Sequence, residues 1–340
     1  MSRPKNKDEY RQQLAEMFAN LLSEKGLDWK KEWIGKGGLA PQNAVTKANY
    51  RGCNFFNLTI ISALRGYSDP RWATMVQIMD KDKKYHPKES WHLKKGSKAV
   101  YVEYWFPYDF TNRKALTWEQ YKKAIKVDGR EPDEFTLRAT YSAVFNADDI
   151  EGISKFEIKE NPDINADEIV ETLSKEMGVP IFYDGGDRAY YSPTLDEIHL
   201  PTPESFTNEY AFNSTALHEL AHSTGHSTRL NRPQAAFFGT PAYAYEELIA
   251  EITSCFMSAE LNIVPAQSHL DNHKAYVQGW IQAIKDKPDT LIKAIKEAQS
   301  AANYMDYKAG LITEKDFNKV NESVFEVNKK RKEPKIELSK

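Results

Sequence analysis

The chain has 340 residues, a net charge of −3, 41% hydrophobic and 28% charged residues, and two cysteines. That length accommodates two domains that each bury a core, and the composition excludes fibrous, low-complexity and membrane-embedded classes. Cys53 and Cys255 are too few for a disulfide framework and fit a reducing compartment. No apolar run reaches transmembrane length and residues 1–11 lack a signal-peptide core, so a cytoplasmic location with no membrane partner is expected.

In chain order, residues 7–25 read as an amphipathic helix stopped by Gly26, with Leu14, Met17, Phe18, Leu21 and Leu22 on one side. Residues 33–53 read as loop, 55–64 as a second helix ended near Gly66, and 72–91 as short strands or turns. Residues 98–106 form the clearest strand, 141–145 another, and the helical stretch 117–125 between them is expected as an insertion. Residues 150–163 are polar and turn-rich and are expected to link the domains. A helix at 165–177, closed by Gly178, precedes short strands at 179–183, 189–192 and 197–200, with residues 184–187 as a hairpin turn. Helices at 213–223, from 245 onward, at 268–283 and at 289–305 complete the domain, and residues 329–332 read as a solvated basic tail. The expectation is therefore α+β with domains at 1–150 and 164–310, a linker at 151–163, and a C-terminal helix and tail at 311–340.

Charge separates the halves. Residues 1–150 hold 26 Lys and Arg against 19 Asp and Glu, whereas 151–340 hold 20 against 30. Trp29, Trp33, Trp72, Trp91, Trp105 and Trp118 also lie in the basic half. A basic, aromatic half joined to an acidic one points to two different jobs.

His218-Glu219-Leu220-Ala221-His222 is the most specific motif. Four residues apart on a helix, the two imidazoles share a face and can hold one zinc ion, with Glu219 beside them as the base that takes a proton from water. Zinc needs a third protein ligand, and residues 245–252 offer Glu247 and Glu251 on one face of a second helix. This arrangement resembles the thermolysin-like gluzincins, which implies Glu247 as the ligand and Glu251 as the acid that orients a ligand imidazole. Gly225 matches the start of the metzincin pattern, but the third position there is Thr228 and His226 comes too early. Gly225 is instead expected as a left-handed helix terminator, and His226 as an outer-shell or surface residue. The strand at 197–200 is expected to be an edge that aligns an extended substrate.

Single-strand binders combine cations for phosphates with aromatic faces for bases. Lys47, Arg51, Arg71, Lys94, Lys95 and Lys98, interleaved with Tyr50, Trp72 and Trp91, supply both, and Asn43 and Asn54 can read base edges. Both halves together resemble the ArdC-type antirestriction proteins of plasmids and phages. The resemblance rests on Pro41-Gln42-Asn43 to Thr46, Tyr50-Arg51-Gly52-x-Asn54, Tyr67-Ser68-Asp69-Pro70-Arg71-Trp72-x-Thr74, Lys94-Lys95-Gly96-x-Lys98 and residues 141–146. In the second half it rests on residues 218–226 with Arg229-Leu230, Phe238-Gly239 and Tyr243-Ala244-x-Glu246-Glu247-Leu248. The chain departs from the family at Ala221-His222-Ser223, where a bulkier residue and Trp are common.

The resemblance implies an N-terminal domain that binds single-stranded DNA and a C-terminal zincin-like metallopeptidase domain. Three functions follow. One is a DNA-localised peptidase acting on a protein such as a restriction or defence factor. Another is a DNA-binding protective protein with a structural or dispensable zinc site, and the third is a replication or primase accessory. Glu219 favours the first, because a structural site needs no base.

Overall fold

The computed structural model describes residues 2–26, 39–81, 83–157, 166–184, 186–206, 209–233, 240–261 and 274–318. Trp29, Trp33, Phe238, Gly239, residues 158–163 of the expected linker, residues 268–273 and the basic run at 329–332 lie outside these. The fold is α+β and divides into two compact units, Met1–Asn161 with Ser258–Lys296 and Pro162–Met257 with Glu297–Lys340. No described helix is long and apolar enough to cross a membrane.

In the first unit, α1 (Lys7–Lys25) starts at Asn6, whose side chain accepts from the backbone N–H groups of Asp8 and Glu9. Its buried face carries Tyr10, Leu14, Phe18, Leu21 and Leu22. After β1 (Gln42–Asn43) comes α2 (Gly52–Arg65), closed by Gly66 in the left-handed region at φ 69°. The elements that follow are β2 (Arg71–Thr74), α3 (Met75–Met79), β3 (His92–Leu93), β4 (Val100–Asp109) and β5 (Lys114–Ala115). Next are α4 (Trp118–Lys126), β6 (Phe135–Asn146) and β7 (Ile150–Glu151). The five-stranded sheet runs β1-β2-β6-β4-β5, with β4 and β6 antiparallel from Val100 opposite Val144 to Asp109 opposite Phe135. Val100, Val102 and Val144 lie on one face of that ribbon and pack with Leu58, Ile61 and Trp72.

β6 begins six residues earlier than the expected strand at 141–145. Its first half alternates with exposed Arg138 and Thr140, so it carries no continuous apolar run. The stretch expected as an insertion forms α4, held by a Thr117–Gln120 capping box between the two long strands.

On its side away from β6, β4 has a stretch of backbone that no strand pairs among the described residues. Asn54 on α2 covers it, donating from Nδ2 to Glu103 O at 2.7 Å and accepting from Glu103 N at 2.8 Å. Asn57 adds a bond to Tyr101 O at 3.0 Å. Both amides act as a substitute strand on a sheet edge. Asn54→Ala leaves the Glu103 amide and carbonyl without these partners and is expected to cost about 2 kcal/mol of stability in urea unfolding. A variant as stable as wild type would show that water replaces the amide at no cost.

The second unit contains α5 (Ala166–Met177), β8 (Ile181–Phe182), β9 (Tyr190–Ser192), β10 (Glu197–His199), α6 (Glu209–Ser223) and, as far as Met257, α7 (Pro241–Glu260). α8 (Lys274–Asp286) packs on α1 within the first unit, and α9 (Asp289–Lys308) follows it. The small sheet is ordered β8-β10-β9, with β10 parallel to β8 and antiparallel to β9. β8 and β9 are therefore not paired with each other, and Gly185 of the hairpin turn expected at 184–187 lies outside the described residues. The hairpin joins β9 to β10, where Asp196 takes φ 55° and donates its N–H to Ser192 O at 2.8 Å. β10 is not the expected edge either, because both of its sides are paired.

Candidate metal centre and nucleic-acid residues

α6 carries the two histidines because Ala216, Leu217, Leu220 and Ala221 bury the rest of its surface. On α7, Leu248, Ile249 and Ile252 do the same for Glu247 and Glu251, and Ser254 on that helix donates to Ser214 O on α6 at 3.2 Å. Among the described residues, His218, His222 and Glu247 form a group able to hold a metal ion, with donor atoms all within 4.8 Å of one another. The two Nε2 atoms are 3.1 Å apart. Glu247 places Oε2 at 3.5 Å from His218 Nε2 and Oε1 at 3.5 Å from His222 Nε2. Tetrahedral bonds of about 2.0–2.1 Å space donor atoms about 3.3–3.4 Å apart. The triangle fits a divalent cation.

The other nitrogen of each ring also meets a carboxylate. His218 Nδ1 lies 3.7 Å from Glu251 Oε1, and His222 Nδ1 lies 3.4 Å from Glu246 Oε1. A carboxylate on Nδ1 fixes the tautomer that presents Nε2 to a metal. Glu251 is thus near His218, and Glu246, which the sequence pattern did not single out, lies beside His222. Glu246 is in turn clamped by Arg232, through Nη2 to Oε1 at 2.6 Å and Nε to Oε2 at 3.2 Å. Arg232 also donates to Thr224 Oγ1 at 2.7 Å and Ala221 O at 3.0 Å, so it binds the end of α6 to the start of α7.

The electrostatics match a cation. Burial opposes a charge on His222, but Glu246, Glu247 and Glu219 outweigh it and raise its pKa to about 10. Burial would likewise raise Glu246, yet its bonds to His222 and Arg232 hold it below the usual carboxylate range. Glu219 is itself buried, at 7% exposure. Several buried acids around two imidazoles make a pocket of negative charge that a metal ion offsets.

Gly225 does not take the expected left-handed conformation, since its φ is not positive. α6 ends instead through turns closed by Gly225 N to His222 O at 2.9 Å and His226 N to Ser223 O at 3.0 Å. His226 faces Thr228 Oγ1 at 2.9 Å and Asp196 at 3.6 Å, outside the ligand triangle. Arg229 fastens the same turn by donating to Ser223 O at 2.7 Å and by pairing with Asp196.

Glu246→Gln and Arg232→Met, each in the full chain, are expected to weaken metal affinity by about 10- to 100-fold without unfolding it, as measured by competition with a chromogenic chelator. Wild-type affinity in both would mean that neither orients His222.

The candidate nucleic-acid residues divide into two groups. Trp72 is fully buried in the core and meets Tyr67 edge to face. Arg71 is buried and chelates Asp69, with Nε to Oδ1 at 2.9 Å and Nη2 to Oδ2 at 2.6 Å, and also donates to Ser154 O at 2.6 Å. Asn43 holds the turn behind β1, accepting from the N–H groups of Val45 and Thr46 and bonding Gln77. Asn54 covers the edge of β4 and Tyr50 packs against the α2 core. Trp91 is buried, stacks on His86 at 4.0 Å and donates to Glu89. These side chains are engaged in folding contacts. Lys47, Arg51, Lys94, Lys95 and Lys98 are exposed, with Lys47 donating to Ala44 O and Lys94 to Asp148 O.

With this geometry in place, the relatives can be set beside it. Residues 168–297, which contain the ligand triangle, match the zincin-like metallopeptidase family, and residues 7–145 match the N-terminal domain of anti-restriction factor ArdC. The chain has the two-domain architecture of the ArdC-type antirestriction proteins. It superposes on ArdC from the R388 plasmid in a metal-free form, with a TM-score of 0.65 and 26% identity over 89% of this chain and 98% of that one. A Mn(II)-bound form of the same protein gives 0.65 and 28%, over 89% and 99%. Among curated relatives, a DNA primase TraC of Escherichia coli is 32% identical over 308 residues, 88% of this chain and 27% of that protein. The chain thus spans about a quarter of that relative's length. An uncharacterized protein, y4eC, of Sinorhizobium fredii is 28% identical over 82% of this chain and 85% of its own length.

Proposed function

We propose that the chain is an antirestriction protein of a mobile element, acting in the cytoplasm, that binds single-stranded DNA and carries a zinc peptidase site. The observation that carries the peptidase reading is the His218, His222 and Glu247 triangle, with Glu219 buried beside His218 on the same helix. Zinc held by His218, His222 and Glu247 would supply Lewis acidity to a scissile carbonyl. Glu219 takes the proton of the attacking water and passes it to the leaving amine. Glu251 and Glu246, beside the two Nδ1 atoms, would hold the imidazoles with Nε2 turned to a bound metal. β9, which packs on α6 and is paired on one side only among the described residues, offers backbone groups to an extended peptide. The substrate class is a DNA-associated protein such as a restriction or defence factor.

The basic, aromatic first half and its match to an ArdC N-terminal domain support the single-strand reading. The name of the TraC relatives favours a second reading, an accessory in the replication of plasmid DNA.

Transfer of a plasmid into a restricting host tests the proposal. Wild type is expected to raise survival of the incoming DNA, and Glu219→Gln to keep part of that protection, because covering single strands does not need hydrolysis. Full loss in a folded, zinc-loaded Glu219→Gln protein would make proteolysis the mechanism and DNA binding its targeting. No protection by wild type would remove the antirestriction role and leave the replication reading.

A further inference from the structure

The exposed lysines account for phosphate attraction but leave the bases without a stacking surface, since Trp72 and Trp91 are buried. A second cationic and aromatic surface lies elsewhere in the first unit. A groove of about 660 Å³ runs between the segment ahead of α1 and the outer half of the β4–β6 ribbon. One wall is Arg3, Pro4, Lys5, Asn6 and Lys7; the other includes Trp105, Leu137, Arg138 and Tyr141. That volume falls within the roughly 300–1,000 Å³ spanned by ligand pockets.

The segment wall is fixed in place. Pro4 is buried, Asn6 caps α1, Lys5 N donates to Glu9 Oε2 at 2.9 Å, and Gln13 Nε2 donates to Ser2 Oγ at 2.9 Å. Arg3, Lys5 and Lys7 are exposed at alternate positions and make no salt bridge among the described residues. Arg138 is exposed too, with its guanidinium 3.4 Å above the Tyr108 ring. On the ribbon, Trp105 is opposite Ala139, so the tryptophan has a small partner directly across the strand. The hydroxyl of Tyr141 is buried and has no hydrogen-bond partner among the described residues, although it lies on this groove. A buried hydroxyl without a partner is costly unless a ligand supplies one.

We infer that this groove is a seat for single-stranded nucleic acid, with Arg3, Lys5, Lys7 and Arg138 along the phosphates, Trp105 stacking on a base and the Tyr141 hydroxyl bonding to the strand. The inference deepens the single-strand reading above and rests on it. It relocates base contact from Asn43, Asn54 and Trp72, which the fold uses, to residues that sequence pattern alone did not select.

The test uses the full chain and a fluorescein-labelled thymidine homopolymer of about 20 nucleotides, with anisotropy read over a range of salt. Wild type should bind, and the affinity should fall steeply with salt. The triple variant R3S/K5S/K7S alters exposed side chains only, and should lower the slope of log affinity against log salt by about 2. Trp105→Ala should weaken binding at least about fivefold. Tyr141→Phe, which removes only the hydroxyl, should weaken binding measurably while leaving thermal stability unchanged. Binding by wild type that all three variants share, but that K94E/K95E/K98E abolishes, would overturn the groove and leave the single-strand reading standing. No binding by wild type at low salt would overturn both.

Discussion

His218→Ala is expected to abolish metal retention. Full-length wild type loaded with zinc and desalted should hold about one ion per chain, and the variant essentially none. Removing one of the three proposed ligands leaves the other imidazole and one carboxylate 3.5 Å apart, a pair that no third donor joins in a metal-holding group among the described residues. His222→Ala should behave alike. Glu247→Ala should lower zinc content strongly and Glu251→Ala less, because Glu251 meets His218 through the nitrogen turned away from the triangle. Normal zinc content in the Glu247 variant together with loss in the Glu251 variant would reverse those two roles.

Glu219→Gln is expected to lower peptide turnover by about 100- to 10,000-fold while zinc content, folding and DNA affinity remain those of wild type. Gln keeps the shape of the side chain but cannot accept the proton, so the loss should appear in kcat with little change in KM. The measurement is cleavage of a quenched peptide library by zinc-loaded wild type and variant. If both cleave equally, another group acts as the base, and if neither cleaves any member, the proposed metal site serves structure and the proposed protection rests on DNA binding.

The parts of this site that the sequence made legible are those set by helical period. His218 and His222 four residues apart, and Glu247 and Glu251 four apart, fall on one face of each helix whatever surrounds them. Glu246 escaped notice because it neighbours Glu247 in sequence and so points about 100° away around the helix, onto the second histidine. Arg232 lies beyond α6, where no period assigns a partner, although a cluster of buried acids requires some cation.

The basic first half was less legible for a chemical reason. An asparagine that reads a base edge and one that covers a strand edge offer the same amide donor and acceptor, and Asn54 proves to be the second kind. Arg71 and Trp72 had the residue types of a single-strand binder, but one chelates Asp69 and the other fills the core. Sheet order was equally hidden. The strand at Glu197–His199 reads as an edge from its place in the chain, yet β8 and β9 flank it. The extent of β6 was masked by its exposed polar positions. α8, far along the chain, packs on α1, so the single-strand measurement needs the whole protein and not residues 1–150.

The most direct measurement of the metal centre is an anomalous-diffraction map from crystals grown with one equivalent of zinc. The expected result is a single strong peak about 2.0–2.2 Å from His218 Nε2, His222 Nε2 and a carboxylate oxygen of Glu247, with Glu219 beside it and not bonded to it. A peak bonded to Glu246 in place of Glu247, or no peak at α6 while zinc is bound elsewhere, would contradict it.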